Sequence, residues 1–529
     1  NTLEFDPEIL KRYVNFMNNP DERTAIDQFG KGNKYFGICT MLATLPGLPM
    51  FGHGQVEGYA EKYGMEFRRA YWDEAADPHL IERHQQEIFP LLHKRYLFAE
   101  AENFRLYDFY TVDGSVDENV FAYSNRTGGE RTLVLYHNRY ATTSGWVRTS
   151  AAYAVKEGDG DKHLDQTTLA EALDISTDPD RYLIFHDAIG GLEYIRNCRE
   201  LTEKGLYAKL NAYKSHVFLD FREVQENKYG HYGQLHARLQ GRGVPNIEEA
   251  LKEQILEPVH VPLRMLVSAP AFEWLMKARH SETHQDDERV TEQVEQKMMD
   301  LLRAVRDAAN SEASKDRLTN IATETGAALE ILLDLPAALE TSGEEVQDYV
   351  LDALEKDDPF VWGTLFGWLF THRLGAIVDE DAWVDISYTW IEDWLLSKVL
   401  SEALHDMKID DQTARRAVAS IKLLIRHHNL LTPEIDVSAE EMLRSLLREQ
   451  ATQAYLGINR YEDVLWFNKE AFDAMLWWLM IGTVVTASID EEVDTDDIIE
   501  KQYAMITALQ EAKEASEYKV EKLLEAVES

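Results

Sequence analysis

The sequence predicts a multidomain protein in three parts. Residues 1–103 alternate short strands and helices and look like part of a barrel, residues 104–224 form an antiparallel β-sandwich, and residues 225–529 form a large all-α region. Three observations carry this reading. At about 150 residues per domain, a chain of 529 residues allows roughly three or four domains. Hydrophobic residues at 45% and aromatic residues at 10% suffice to fill several cores. The patterning also changes character twice, near residue 104 and near residue 225.

The first region opens with Asp6-Pro7, a cap followed by a proline, which starts a short helix through Lys11. Tyr13-Val14-Asn15-Phe16-Met17 reads as a strand, and a helical stretch follows that ends near Leu45-Pro46-Gly47. Pro49-Met50-Phe51-Gly52 is a second strand, succeeded by a long polar loop. Asp77-Pro78 then starts a helix in which Ile81, Ile88, Leu92 and Tyr96 recur at helical spacing. These two strand–helix units are too few to close a sheet alone.

In the second region, Val120–Tyr123 and Thr132–Tyr136 flank Thr127-Gly128-Gly129-Glu130, the pattern of a hairpin. Val217, Leu219 and Phe221 alternate with Asp220 and Arg222 as in a half-buried strand. Between them lies an insertion of roughly 70 poorly patterned residues, including the turn-prone Glu157-Gly158-Asp159-Gly160-Asp161. In the third region, Val290, Val294, Met298, Leu301, Leu302 and Val305 mark one face of a long helix. Further helices surround Phe360–Leu374, Trp383–Leu400, Ala414–His427 and Asp463–Val485. Trp362, Trp368, Trp390, Trp394, Trp477 and Trp478 on these helices read as core rather than as sugar platforms. Glu511–Ser529 reads as an exposed amphipathic helix. The size and amphipathic ends of this region suggest a homo-oligomer interface.

Composition narrows the function classes. A net charge of −40 repels phosphate backbones and argues against nucleic acid as a partner. A neutral polyol is not repelled, although acidity also serves plain solubility. Cys39 and Cys198 are too few for a disulfide framework and fit a reducing, cytoplasmic compartment. The longest apolar run, Ala474–Ala487, is about 14 residues, short for a bilayer, and reads as a buried helix, so no membrane association is expected. The chain begins at Asn1 almost directly with a helix, which is read as a cut edge of a longer polypeptide.

Two segments carry chemistry. Phe16-Met17-Asn18-Asn19-Pro20-Asp21-Glu22 places a carboxylate just past the C-terminal end of a strand, the edge at which barrels build active sites. There it can hydrogen-bond hydroxyls and stabilise an oxocarbenium-like transition state. The same residues also suit a helix start, with Asn19 as cap, Pro20 first and Asp21 and Glu22 in the acidic first turn. In the second segment, Leu45 to Gly58, glycines permit close backbone approach while His53, Gln55 and Glu57 offer donors and acceptors suited to hydroxyls. Taken singly, each is an ordinary loop polar residue; the two segments in this order, about 30 residues apart, are more specific.

With these residues in view, the chain resembles the glycoside hydrolase family 13, the α-amylase family. Its last shared motif runs Phe, two variable residues, Asn, His, Asp at the end of the seventh barrel strand. Phe16, Asn19 and Asp21 match it, and Pro20 stands where histidine is usual. Leu45–Pro49 and Gly54-Gln55 are similar to the stretch entering the family's eighth strand, and Phe67–Asp73 loosely resembles a following Arg…Trp-Asp loop. The resemblance covers roughly residues 8–140 and implies the last two units of a (β/α)8 barrel followed by a sandwich, the C-terminal half of a long member.

The resemblance implies that Asp21 is the transition-state stabiliser, that Asn19 positions its loop, and that Asn19, His53, Gln55 and Glu57 contact substrate. The substrate implied is an α-glucan or maltodextrin, and no cofactor is implied. The family's nucleophile and acid/base lie on earlier strands that this sequence lacks. A retaining mechanism needs two carboxyls about 5–5.5 Å apart, and adjacent Asp21 and Glu22 cannot supply that pair. The expected activity is therefore that of an α-glucan hydrolase or transglycosylase in the intact polypeptide, with this portion alone inactive. The alternative is a non-catalytic carbohydrate-binding or scaffolding relative. His186-Asp187 and His427-His428 lack a second cluster at metal-ligand spacing, and no metal site is expected.

Overall fold

The computed structural model describes residues 2–62, 69–157, 161–280, 284–354, 356–432, 437–489 and 493–528. Phe67 and Arg68 of the expected Arg…Trp-Asp loop, and Gly158–Gly160 of the expected turn, lie outside the described residues. The chain divides into two compact units, 1–254 and 255–529, so the division falls at 254/255 rather than at 224/225.

The first unit starts as its capping residues dictate. The Asp6 side chain accepts from the Glu8 amide and Pro7 begins a short helix, Pro7–Arg12. Strand β1 (Val14–Phe16) follows, and strand β2 (Leu48–Met50) pairs with it in parallel, Val14 opposite Leu48 and Phe16 opposite Met50. Between them the helix Asn33–Thr44 buries Tyr35, Phe36, Cys39, Leu42 and Ala43 and stops where Pro46 forbids its continuation. Gly47 makes the return possible: its φ is 101°, and a Cβ there would lie 2.5 Å from the Tyr13 carbonyl.

The next helix runs Pro78–His93, capped by Asp77, with a π turn over His84–Ile88 just before Pro90. Its buried face is Leu80, His84, Ile88 and Leu91, so of the expected Ile81, Ile88, Leu92 and Tyr96 only Ile88 lies on it. The apolar pattern misses His84, which is buried with both ring nitrogens engaged, Nδ1 2.8 Å from the Leu80 carbonyl and Nε2 3.1 Å from the Tyr35 hydroxyl. Tyr96 lies beyond the helix and donates to the Glu130 carboxylate at 2.9 Å.

The remaining strands of this unit are β3 (Arg105–Thr111), β4 (Val120–Thr127), β5 (Glu130–His137), β6 (Thr143–Ser150), β7 (Tyr153–Glu157), β8 (Asp161–Asp165), β9 (Arg181–Asp187), β10 (Leu192–Asn197), β11 (Leu206–Leu210) and β12 (Ser215–Gln225). Eight of them form one antiparallel sheet in the order β10-β9-β12-β5-β4-β3-β6-β11, and β7 with β8 forms a separate ribbon. The expected sandwich is thus replaced by a single sheet covered by helices on both faces. Leu133 and Leu135 pack with the helices Leu169–Ala172 and Cys198–Lys204, whereas Val134 between them packs with the helix Asn33–Thr44. A strand buried on both faces reads as a continuous apolar run, which is what Leu133-Val134-Leu135 is. The β4–β5 hairpin turns at Gly128-Gly129 as expected. In β12 the expected alternation breaks: Val217 and Leu219 face one core, but a bulge at Asp220, φ 55°, turns Phe221 to the opposite core beside Phe185. The helix His231–Leu239 packs Leu235 and Leu239 on Ile184 and Ile195 of the sheet, which keeps it with this unit.

Among the described residues the second unit is helical apart from a hairpin of β13 (Asn459–Tyr461) and β14 (Val464–Trp466). Val290, Val294, Met298, Leu301, Leu302 and Val305 are all buried on the helix His284–Ala308, as their spacing predicts. The helices Pro359–Thr371 and Asp411–Arg426 match expectation within a few residues. The stretch Trp383–Leu400 instead breaks into Trp383–Asp393 and Leu396–Asp406 at Leu395, whose φ is 53°. Asp463 sits in the hairpin turn, and the helix expected from it begins at Lys469, capped by Asn468. Trp362, Trp368 and Trp478 are buried, and Trp390, Trp394 and Trp477 pack half-buried against the same core. The final stretch is not an exposed helix: it splits into Thr495–Ala515 and Val520–Glu528, and Leu523 is buried. Among the described residues one helix, Lys469–Ala487, is long and apolar enough to cross a bilayer; its most apolar window is 67% buried, the setting of a core helix.

Candidate functional site

Because β1 and β2 are parallel, the chain leaves both at the same edge, and the two segments singled out by sequence meet there. Past β1, residues 19–22 form a tight turn. The Asn19 side-chain oxygen accepts from the backbone N–H groups of Asp21 and Glu22, each at 2.9 Å, and the Asn19 carbonyl accepts from the Glu22 N–H. Asn19 therefore caps a turn and not a helix; the helix Ala25–Phe29 starts later. That turn exposes the Asp21 side chain, while the Asp21 carbonyl accepts from Lys62 Nζ at 3.0 Å.

Past β2, the loop 51–58 is pinned from inside. Gln55 is 2% exposed; its Oε1 accepts from the Gly52 N–H and its Nε2 lies 3.3 Å from Met17 Sδ. Its carbonyl accepts from the Tyr35 hydroxyl at 2.8 Å. Gln55 is thus no ligand: it staples the end of β1 to the loop after β2, and a polar residue wholly occupied inside the fold cannot reach a substrate. Burial pulls the His84 imidazole below its ordinary pKa and pushes the Cys39 thiol well above its own, so neither is charged in this core.

The two loops enclose a cavity of about 180 Å³. Asn19, Pro20 and Glu22 line it from one side, Phe51, Gly52 and His53 from the other, and Glu61 and Lys62 from the following segment. Asn18 and Thr24 also line it, each more than nine-tenths buried, and their side-chain oxygens have no hydrogen-bond partner among the described residues. Asp21 and Glu57 are not in the lining; Glu57 is half-buried, and its carbonyl accepts from the Asp77 N–H at the start of the helix Pro78–His93. Sequence reading thus brought Asn19 and His53 to the cavity and missed Glu22, Glu61 and Lys62.

The long loop is closed by two carboxylates acting on backbone. Glu74 accepts from the N–H groups of Ala60 and Glu61 at 2.7 and 2.9 Å, and Glu61 accepts from those of Tyr71 and Trp72 at 2.8 and 3.1 Å. This holds Tyr71 and Trp72 outward, 65% and 59% exposed, beside a residue of the cavity wall. Lys31 pairs with Asp77 at 2.8 Å and, by that hydrogen bond, holds its carboxyl below the usual range. The Tyr13, Val14, Phe16 and Leu48 side chains of the strand pair are exposed, unusual for parallel strands, which are ordinarily covered on both faces.

Elsewhere, His186 lies 3.9 Å from Asp220, while Asp187 pairs with His216. His427 is buried and His428 half-buried. Among the described residues no three His, Cys, Asp or Glu side chains converge as metal ligands.

No family model and no curated protein matches the chain. Among solved structures the chain is similar to the α-amylase of Geobacillus thermoleovorans complexed with acarbose, at 15% identity over 40% of this chain and 39% of that one, with a TM-score of 0.25. The cyclomaltodextrin glucanotransferase CldA gives 13% identity over 41% and 38%, with a TM-score of 0.24. The maltogenic α-amylase AmyB of Thermotoga neapolitana gives 14% over 39% and 41%, again with a TM-score of 0.24. The chain spans about two fifths of the length of each of these proteins.

Proposed function

We propose that this chain is the C-terminal portion of an α-glucan-acting enzyme of the α-amylase type, a hydrolase or transglycosylase that works by double displacement when its earlier strands are present. In this reading Asp21 stabilises the oxocarbenium-like transition state, Asn19 fixes the turn that carries it, and His53 and Glu61 meet sugar hydroxyls beside it. The reading is supported above all by one arrangement: two parallel strands deliver the Asp21 turn and the His53 loop to one edge, around a shared cavity. The exposed apolar side chains of β1 and β2 add support, since such a pair is covered on both faces in a complete barrel. Two free cysteines, both buried, suit a cytoplasmic protein.

The second reading, a carbohydrate-binding or scaffolding relative without catalysis, is favoured by the outward Asp21 side chain and by Pro20 in place of an imidazole. One experiment separates them. In the polypeptide that carries the nucleophile and acid/base strands, Asp21→Asn should lower turnover of maltodextrin by about 10²–10³-fold with unchanged thermal unfolding. An unaltered rate removes Asp21 from the mechanism, and maltodextrin binding without any turnover in the parent protein establishes the scaffold. The 529-residue chain alone should release no reducing sugar from starch.

A further inference from the structure

A cavity of about 620 Å³ in the first unit is remote in sequence from the β1–β2 edge and carries the opposite charge to the chain. Its lining includes Arg196, Lys204, Lys209 and Arg242 against one carboxylate, Glu200, in a protein whose net charge is −40. Lys204 and His236 face Glu200 at 3.1 and 3.6 Å, which satisfies that carboxylate. Arg196, Lys209 and Arg242 have no carboxylate within salt-bridge distance among the described residues. The Arg196 guanidinium is held instead by the carbonyls of Ile195 and Gly241, at 2.8 and 2.9 Å, which fix its plane without neutralising it.

Two further features shape the space. Trp146 and Tyr207, ring centroids 5.0 Å apart, form an aromatic wall, and Tyr207 is 45% exposed. His216 stacks on Phe218 and points Nδ1 at Asp187 Oδ2, 2.7 Å away, which leaves Nε2 as the ring nitrogen available to a ligand. Asp187 is buried and also accepts from the backbone N–H groups of Val217 and Ile189, both at 3.2 Å, so the imidazole is rigidly oriented.

We propose that this cavity binds a small phosphate ester with a ring-bearing body, a sugar phosphate or a nucleotide, its anion held by Arg196, Lys209 and Arg242 and its ring set against Trp146 and Tyr207. Three unneutralised cations exceed what one carboxylate ligand would balance, and the guanidinium fork suits a phosphate. The surrounding negative charge repels an extended polyanion, but screening confines that repulsion to about 8 Å at physiological salt, within which the cavity's own cations act. The volume falls in the range of small-molecule sites.

The test is calorimetric titration of the protein with glucose 1-phosphate, adenosine monophosphate, inorganic phosphate and glucose. At least one ester should bind, more tightly than inorganic phosphate and much more tightly than glucose, with affinity falling as salt rises. Lys209→Gln and Arg242→Gln, both at exposed positions, should each weaken that ester about tenfold, and together about a hundredfold, with unfolding temperature unchanged. Tyr207→Ala should weaken the ester and leave inorganic phosphate unaffected. Equal binding of ester and glucose, or full affinity in the Lys209→Gln/Arg242→Gln protein, overturns the proposal. Inorganic phosphate binding as tightly as both esters overturns the role of the ring wall.

Discussion

Gln55 and Asn19 illustrate how a polar loop residue is committed by what lies beneath it. Both carry the donors and acceptors that sugar recognition requires, and both spend side-chain oxygens on backbone N–H groups of their own loops. Replacing Gln55 by alanine leaves the Gly52 N–H without its partner in a part-buried setting, a loss of about 1 kcal/mol that equilibrium urea unfolding will register. A Gln55→Ala protein of unchanged stability would mean that the loop is not stapled there. Such commitments are not legible in sequence, because Gln55, His53 and Glu57 stand in one polar run and nothing local says which is turned inward. That Asn19 caps the chain after β1 and that the helix before β2 ends near Leu45-Pro46-Gly47 was legible, since both rest on backbone chemistry within a few residues; that Asn19 caps a turn and not a helix was not.

Elements were legible where periodicity or turn chemistry is self-sufficient and failed where a neighbour decides. The hairpin at Gly128-Gly129 and the buried face of His284–Ala308 needed only local pattern. The β12 bulge, the break at Leu395 and the π turn before Pro90 shift the phase of a face by one residue, and pattern counting carries the old phase through. The single two-faced sheet was misread as a sandwich because its continuous apolar strands declare burial without saying what does the burying. One contact across that sheet is tight enough to test. A Cβ on Gly37 of the helix Asn33–Thr44 would overlap the Tyr136 ring at 1.9 Å. Gly37→Ala should therefore cost about 1–3 kcal/mol through overpacking, and Gly37→Ala combined with Tyr136→Leu should recover part of it in thermal denaturation.

For the molecule as a whole, charge sets behaviour as much as packing does. Three imidazoles of the second unit, His372, His427 and His428, are held below their ordinary pKa. Burial pulls His427 down to about 4, while burial and the nearby Arg373 pull His428 down to about 4. Burial together with His428 and Arg373 takes His372 down to about 3. Unfolded histidines titrate near 6.5, so between 6.5 and 4 the unfolded chain binds more protons than the folded one, and stability falls as the pH falls through that window. Each histidine contributes on the order of 3 kcal/mol to that loss. Nine of the eleven tryptophans lie in this unit, so tryptophan fluorescence should show its melting temperature dropping from pH 7 to pH 4.5, and His427→Gln should flatten the slope. A pH-independent melt would show that these imidazoles are not held neutral.

The two-stranded parallel pair at the front of the first unit has a colloidal consequence. The outer backbone row of β1 presents the N–H and C=O groups of Val14 and Phe16, a template onto which an extended segment can dock, whereas Pro49 leaves the outer row of β2 without an N–H. Mutual repulsion between strongly anionic copies holds such templates apart in dilute electrolyte, and brine removes that barrier. The salt that screens the protein thus also frees its raw strand edge to stick.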